Sequence, residues 1–365
     1  MKNNLIKNSK NIVLATVLGL SFSSFAQEEK PAESKTTVSG FIDGYYKFDA
    51  GQSGVNNKTK HTRSHNSFEI GSANLLVEHT QGKAKFFGDF GVGRRIDALN
   101  TNAQGSTSVL IKELNINFEV ISGLNITAGT FQRHFGVEKI NVNANANYSM
   151  SYGYSISPLL NTGVKANYSV DGFNVMIGAS NAADFKSAVD ANTTQKTILA
   201  QVGYTAENTN LSVNYQTASH NPSDLTKVTM LNRYNYSLYN VTLKQKFDDK
   251  LSVALDANMV TYTPDGKNTK DRSVLAVAGY VKYAVQENLG LAYRLEYFDD
   301  KDKANVINVA GGNVISNTIS ANYKLGNLTV VPELRADIAS EEIFYVGNKA
   351  SKVSPFLLLG AVYNF

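Results

Sequence analysis

Five histidines, His61, His65, His79, His134 and His220, are the side chains of this sequence whose ordinary pKa lies near neutrality, and there is no cysteine. A thiol nucleophile, a disulfide framework and a thiolate-held zinc or iron-sulfur site are therefore excluded. A hydrolase would need a nucleophile and a base, or paired carboxylates with a His, gathered in one place. Neither a G-x-S-x-G elbow nor an H-E-x-x-H motif occurs. His61 and His65 are four apart, but in a polar loop no helical face aligns them on a metal, and they read as solvated loop residues. No catalytic residue, metal site or cofactor is expected, and the chain is not expected to be an enzyme. What stands out instead is charge at every second position, as in Arg294 and Glu296, or Glu333, Arg335 and Asp337. In an extended strand such residues share one face, and that face must meet water or polar partners.

The elements that carry these charges follow from composition and periodicity. Of 365 residues, 42% are hydrophobic and 18% charged, both below the usual soluble domain. The difference is made up by Asn, Ser and Thr, with 27 Gly, 19 Tyr and 18 Phe, a poor recipe for a large dry core. From Thr36 onward, stretches of about ten residues alternate strictly between apolar and polar. Val164 to Val170 and Leu289 to Tyr297 are clear cases, the second with Leu289, Leu291, Tyr293, Leu295 and Tyr297 on one face and Arg294 and Glu296 on the other. Very short turns join them in pairs at Gln81-Gly82, Ser122-Gly123, Asp171-Gly172, Glu207 to Thr209, Asp248-Asp249, Gln286 to Asn288 and Gly326-Asn327, where Gly, Asn and Asp can supply positive φ. Longer polar excursions lie near 49–65, 98–107, 136–160, 184–194, 220–233, 264–271, 299–312 and 339–350. The alternation of turns and loops implies sixteen strands, with 14 and 18 as the neighbouring counts. The expected fold is all-β, a transmembrane up-and-down antiparallel β-barrel over residues 36–365.

Residues 1–26 read as a secretory signal peptide. Lys2, Lys7 and Lys10 precede the apolar run Ile12 to Leu20, and Ser24 and Ala26 are the small residues a signal peptidase inspects. Residues 27–35 read as a short periplasmic lead-in. Loss of the three lysines takes the formal charge from +4 to +1, so no attraction to nucleic acid is expected. The expected location is the outer membrane of a Gram-negative bacterium.

One phase of the strands starting at Leu124, Val164, Phe173, Leu211, Leu251, Leu289, Leu328 and Val353 holds no charge at all. Each Arg or Lys placed there at mid-bilayer would cost about 2–4 kcal/mol, which is a physical reason for the exclusion. This face is expected to meet outer-membrane lipid, with Tyr168, Tyr293, Tyr297, Tyr363 and Phe365 in an interfacial girdle together with Phe173, Tyr204, Tyr215, Phe247 and Tyr323. The opposite phase is expected to line a pore: Lys47, Asp89, Arg95, Glu119, Arg133, Lys165, Lys244, Asp256, Arg294, Glu296, Glu333 and Arg335. With Lys85, Lys246, Lys282, Lys324, Asp43, Glu78, Glu113 and Asp337 added, eleven cations face nine anions, which predicts weak charge selectivity with at most a mild anion preference. A sixteen-strand barrel is too wide for side chains to fill, so an aqueous lumen is expected unless a loop occupies it. The longest excursion, 136–160, is the candidate constriction, with His134 at its base and Asn141, Asn143, Asn145, Asn147, Tyr148, Tyr152 and Tyr154 along it. Its Tyr and Asn suit uncharged solutes, and an extracellular cover without solute contact is the equal alternative. Pro332, inside a regular strand, predicts a bulge or a shifted register.

Several stretches carry a family resemblance. The strand Gly40 to Phe48, the pair around Ser67 to Gly93, and Leu124 to Asn181 resemble the OmpL-like, porin-2 type of β-barrel porins known from Bacteroidota. In the last stretch an Ala-Gly-Thr-Phe strand leads through His134 and Gly136 into a long loop, then Pro158 and Asn161-Thr-Gly-Val-Lys-Ala. The resemblance implies an outer-membrane channel passing small hydrophilic solutes, and carries over no catalytic or ligand residue. Trp is absent, where such barrels carry several. A final strand ending in Phe365 looks like the signal read by the barrel-insertion machinery, and a homotrimer is one expected assembly beside a monomer. The alternative from a different class is an adhesin or assembly scaffold without channel activity. A barrel with a separate plug domain is disfavoured, because the length leaves no room for one beside about 22 strands.

Overall fold

The computed structural model describes residues 34–97, 110–181, 184, 196–218, 234–264, 270–307, 309 and 311–365. The expected signal peptide, residues 27–33 of the lead-in, His220 and much of four long loops lie outside the described residues. In chain order the elements are β1 (Ser34–Asp49), β2 (Ser67–Gln81), β3 (Ala84–Val92), α1 (Arg94–Asp97), β4 (Leu110–Ile121), β5 (Leu124–Gln132), α2 (Tyr152–Ile156), β6 (Leu160–Val170), β7 (Phe173–Ser180), β8 (Thr197–Thr205), β9 (Thr209–Ala218), β10 (Tyr234–Lys246), β11 (Leu251–Pro264), β12 (Arg272–Gln286), β13 (Leu289–Asp299), β14 (Asn313–Leu325), β15 (Leu328–Ala339), β16 (Phe344–Val346), β17 (Lys349–Ser351) and β18 (Val353–Asn364). β1 begins at Ser34, two residues before the expected start.

Sixteen of these strands form one closed antiparallel barrel in chain order, with β18 hydrogen-bonded to both β15 and β1; β16 and β17 make a separate hairpin in the last long loop. The seam runs from Phe41 opposite Asn364 to Asp49 opposite Phe356. Closure removes the two free edges that a sheet of this size would otherwise present. At its foot Gly40 and Phe365 exchange backbone hydrogen bonds of 2.9 and 3.0 Å. A Cβ on Gly40 would sit 2.4 Å from the Phe365 ring, so the missing side chain is what lets the terminal ring lie across the seam.

All seven short turns fall where the turn residues predicted, but by two different devices. Gly82, Gly123, Asp171, Gly172 and Gly326 do take positive φ. Asp248 and Asp249 do not; there the Asp248 carboxylate accepts the Lys250 and Leu251 amides at 2.8 and 2.7 Å, an Asx turn in place of a left-handed one. Glu207 to Thr209 and Gln286 to Asn288 likewise turn without positive φ.

The alternation sorts as its period requires. Leu357, Leu359, Tyr363 and Phe365 point outward and are exposed, while Phe356, Leu358 and Val362 point inward and are buried. Tyr168, Phe173 and Tyr204 form an outward aromatic row near the short-turn rim, the last two rings 4.8 Å apart. Tyr297 lies near the long-loop rim. Tyr293 sits mid-strand, where its hydroxyl donates to Asn317 at 2.8 Å, a polar contact on the outer wall rather than at its edge. Pro332 corrects an expectation. Register is the same on both sides of it, Ser320 opposite Glu333 and Tyr323 opposite Val330, with the two pairings between them missing. The proline, which has no N–H, opens a gap toward β14 without a bulge or a slip, and pairing to β18 is uninterrupted.

Two outcomes are expected for the fold. Gly40→Leu displaces the Phe365 ring and loosens the seam, read as a lower temperature at which the barrel loses its compact migration in detergent gels. Leu359→Arg lowers the unfolding free energy in lipid vesicles by about 2–4 kcal/mol, whereas Val170→Arg at the rim costs about 0–1 kcal/mol.

Candidate functional site: the barrel interior and its inward loop

The segment between β5 and β6 has no sustained period and is rich in Asn, Ser and Tyr, so its backbone polar groups cannot be satisfied by a ladder and must find partners elsewhere. They find them on the inner wall. Glu333 of β15 accepts the Tyr148 and Ser149 amides at 2.7 and 3.1 Å and the Ser320 hydroxyl at 2.8 Å. Glu296 of β13 accepts the Tyr152 and Gly153 amides at 2.9 and 2.8 Å, the first free N–H groups of α2. Asp256 of β11 accepts the Val137 amide at 3.0 Å. In the other direction, the Arg294 and Arg335 guanidinium groups each donate at 2.7 Å, to the Ser149 and Met150 carbonyls. The loop therefore lies across the interior, from β5 to the opposite wall.

Side chains extend the same clamp. Tyr148 donates to Asp43 at 2.6 Å and Tyr152 to Asp337 at 2.9 Å, the latter carboxylate also held by Arg335 at 2.8 Å. Burial raises both phenols well above their ordinary range, so each stays a donor at physiological pH. Glu138 within the loop accepts the Ser151 amide and hydroxyl at 3.0 and 2.6 Å and pairs with Arg294. Ser151 in turn caps α2 by accepting the Tyr154 amide at 2.9 Å. Asn143 donates to Asn364 of β18 at 2.9 Å, and Asn145 closes the loop on itself through the Lys139 backbone, at 2.8 Å in each direction. At the base, the His134 ring donates to the Ala200 carbonyl of β8 at 3.2 Å. Burial, with Lys165 adding to it, pushes its pKa down to about 4, leaving it uncharged.

The twelve charges expected to line a pore all belong to the inner side, but their surroundings differ from the expectation. Lys47, Asp89, Arg95, Arg133, Asp256, Arg294, Glu296, Glu333 and Arg335 are buried; Glu119, Lys165 and Lys244 are half-buried. Arg95 is not on a strand: it projects from α1 toward Asp43, 3.4 Å away. Lys112, an unforeseen inward residue at the bulge between β3 and β4, pairs with Asp89 at 2.8 Å and contacts Asn141. The interior is not wholly open. Phe135, Tyr152 and Ile156 pack against the inward Leu238, Val260, Val274 and Phe298 and against Val309 and Phe344 from two further loops, closing part of the long-loop half with an apolar plug. Apolar residues in the inward phase, such as Val260 and Val274, were the sequence signal for it.

The first long loop also turns inward. His61, expected to be solvated, is 9% exposed with its ring beside Tyr154, and burial holds it well below its ordinary pKa. His65 instead accepts the Asp49 amide at 3.2 Å. Lys60 donates through its amide to Ser155 at 2.9 Å and through Nζ to the Ser157 carbonyl at 3.1 Å, laying this loop over the helical turn. Among the described residues no group of three His, Asp or Glu side chains converges as a metal site.

Similarity to known proteins agrees with this architecture. No curated protein sequence matches the chain. Among solved structures it is similar to the anion-selective porin from Comamonas acidovorans, at TM-score 0.62 and 10% identity, over 91% of this chain and 100% of that one. The outer membrane channel DcaP of Acinetobacter baumannii gives TM-score 0.60 and 15% identity over 91% and 97% of the two chains. The trimer form of in-vitro folded OmpT, an outer membrane protein of Vibrio cholerae, gives 0.59 and 13% over 91% and 99%. At such identities these likenesses speak for the fold alone. The family model described as "Putative beta-barrel porin-2, OmpL-like" matches residues 35–365, and the chain accordingly belongs to that family of outer-membrane porins.

Proposed function

We propose that the barrel passes small hydrophilic solutes down their gradients through the part of the interior that the inward loop leaves to water, with an anion preference and without covalent chemistry. The observation that carries the selectivity is which charges remain in contact with water. Burial within the interior removes Asp43, Asp89, Asp256, Glu296, Glu333 and Asp337 together with Lys47, Arg95, Arg133, Arg294 and Arg335. Lys246, Lys282 and Lys324 stay exposed and Lys85, Lys165 and Lys244 half-buried, against the half-buried Glu78, Glu113 and Glu119. Of these acids, Glu78 is paired with Lys85 at 2.7 Å and Glu113 accepts the Gln132 amide at 3.2 Å. A near-balanced wall thus presents a cationic surface to a solute, and the field of unpaired charges sets which ion is favoured.

In this reading His134, Asn143, Asn145, Tyr148, Tyr152 and Tyr154 form the constriction, Lys165, Lys244 and Glu119 line the water path, and the outward aromatics anchor the barrel in outer-membrane lipid. A homotrimer is part of the proposal; chemical crosslinking in native membranes that yields only monomer would remove it. An adhesin or scaffold would show no ion conductance.

The purified protein in a planar bilayer across a tenfold KCl gradient is expected to give a reversal potential of anion sign. A strong cation preference contradicts the proposed water path, and absence of conductance contradicts the channel. Glu333→Leu removes the acceptor of two loop amides and leaves them unpaired in a buried site. At about 1–3 kcal/mol for each stranded donor, the loop is expected to leave the wall for part of the time, read as larger and noisier single-channel conductance. Unchanged conductance contradicts the constriction.

A further inference from the structure

Beneath the inward loop, on the short-turn side of the interior, lies a cavity of about 490 Å³ lined by Lys139 of the loop, Lys244 and Lys246 of β10, Tyr280 and Lys282 of β12, and Glu207 of the β8–β9 turn. Its shape follows from strand register. Lys244, Ala254 and Tyr280 lie opposite one another across β10, β11 and β12, and one step nearer the rim so do Lys246, Ser252 and Lys282. In each row a small residue on the central strand separates two long ones, so the wall is hollow between them. The volume is in the range of small-molecule sites.

The chemistry of the hollow is one-sided. Lys139, Lys244 and Lys282 have no ion-pair partner among the described residues, while Lys246 pairs with Asp249 at 2.6 Å. Among the described residues of the lining Glu207 is the one acid. Crowding of like charge is felt at Lys139, whose pKa falls to about 8 through burial, with Lys244 and Arg133 adding to it and Glu113 and Asp256 opposing. A second, independent observation concerns Tyr280. It is 5% exposed and its buried hydroxyl has no hydrogen-bond partner among the described residues, whereas the inward phenols of Tyr45, Tyr148 and Tyr152 each donate to a carboxylate. An unpaired buried donor in the lining of a cavity that also holds unpaired ammonium groups leaves that cavity suited to an acceptor that carries negative charge.

We infer that this cavity is a binding site for a small multivalent oxyanion, or for an organic solute bearing one, held by Lys139, Lys244 and Lys282 with the Tyr280 hydroxyl as a neutral donor. The inference deepens the porin reading and rests on it for its place in permeation, since a site beneath the constriction would concentrate such solutes at the exit. It does not need conductance in order to bind.

The test is calorimetric titration of the purified full chain, in non-ionic detergent at constant ionic strength, with sodium sulfate, whose charge is fixed across neutral pH. Saturable binding is expected. The double variant K244Q/K282Q should weaken it at least about 10-fold, and Tyr280→Phe, which changes no charge, by about 3- to 10-fold. Compact migration of each variant in detergent gels verifies that it is folded. Absence of saturable heat, or equal affinity in wild type and variants, overturns the site. The two readings separate in a planar bilayer with KCl. A conducting protein without saturable sulfate binding loses the site and keeps the porin, whereas a protein that binds sulfate and does not conduct loses the porin and keeps the site.

Discussion

Carboxylates on the inner wall of a barrel can be left to water or can hold something the chain brings to them, and here Glu333 and Glu296 hold backbone. Each accepts two consecutive amides of the inward loop. The pairs of donors are free because the chain there is in no ladder and because α2 begins at Tyr152. Hydrogen bonds to a charged acceptor are worth about 1.5–3 kcal/mol each. Arg294 and Arg335 neutralise the cluster and bind the intervening carbonyls. Removing either partner alone would strand a buried charge, so wall and loop form a unit in which neither sign can be changed alone.

Much else depends on that clamp. The loop it fixes carries Phe135 and Ile156 into the apolar plug of the long-loop half, and places Tyr148 over the inner face of Gly360, where a Cβ would meet its ring at 2.4 Å. It also decides which charges meet water. The outer wall obeys a simpler constraint: hydrocarbon accepts no unpaired charge, and the outward phase carries none in β5, β6, β7, β9, β11, β15 and β18, or in β13 as far as Tyr297. The same chain thus meets lipid with one residue and a polar, partly filled interior with the next, along every strand.

The barrel was legible because its physics is local. Period-two alternation, the Gly- and Asp-bearing turns and the spacing of the long loops fix the strand count without knowledge of any long-range contact. The inward phase was legible for the same reason. Where the loop would go was legible only in outline, from length and polarity, since its partners Glu333 and Glu296 lie far along the chain and alternate like any other inner-wall residue. The burial of Arg294 and Arg335 could not be read for that reason. Nor could the balance of water-exposed charge, because counting a face assumes that all of it is open. Pro332 misled because its missing N–H was expected to shift the register, while long, well-paired strands on either side hold the register and confine the loss to two pairings. His61 is buried although its loop is polar, because that loop packs on the inward one and not into water.

The clamp itself is open to direct measurement by amide hydrogen exchange on the intact barrel. The amides of Tyr148, Ser149, Tyr152 and Gly153 are donated to buried wall carboxylates and are predicted to exchange as slowly as amides in the adjoining strands β13 and β15. Exchange of these four amides at the rate of an unstructured loop would show that the segment does not rest on the wall, and would contradict the account of the interior built on it.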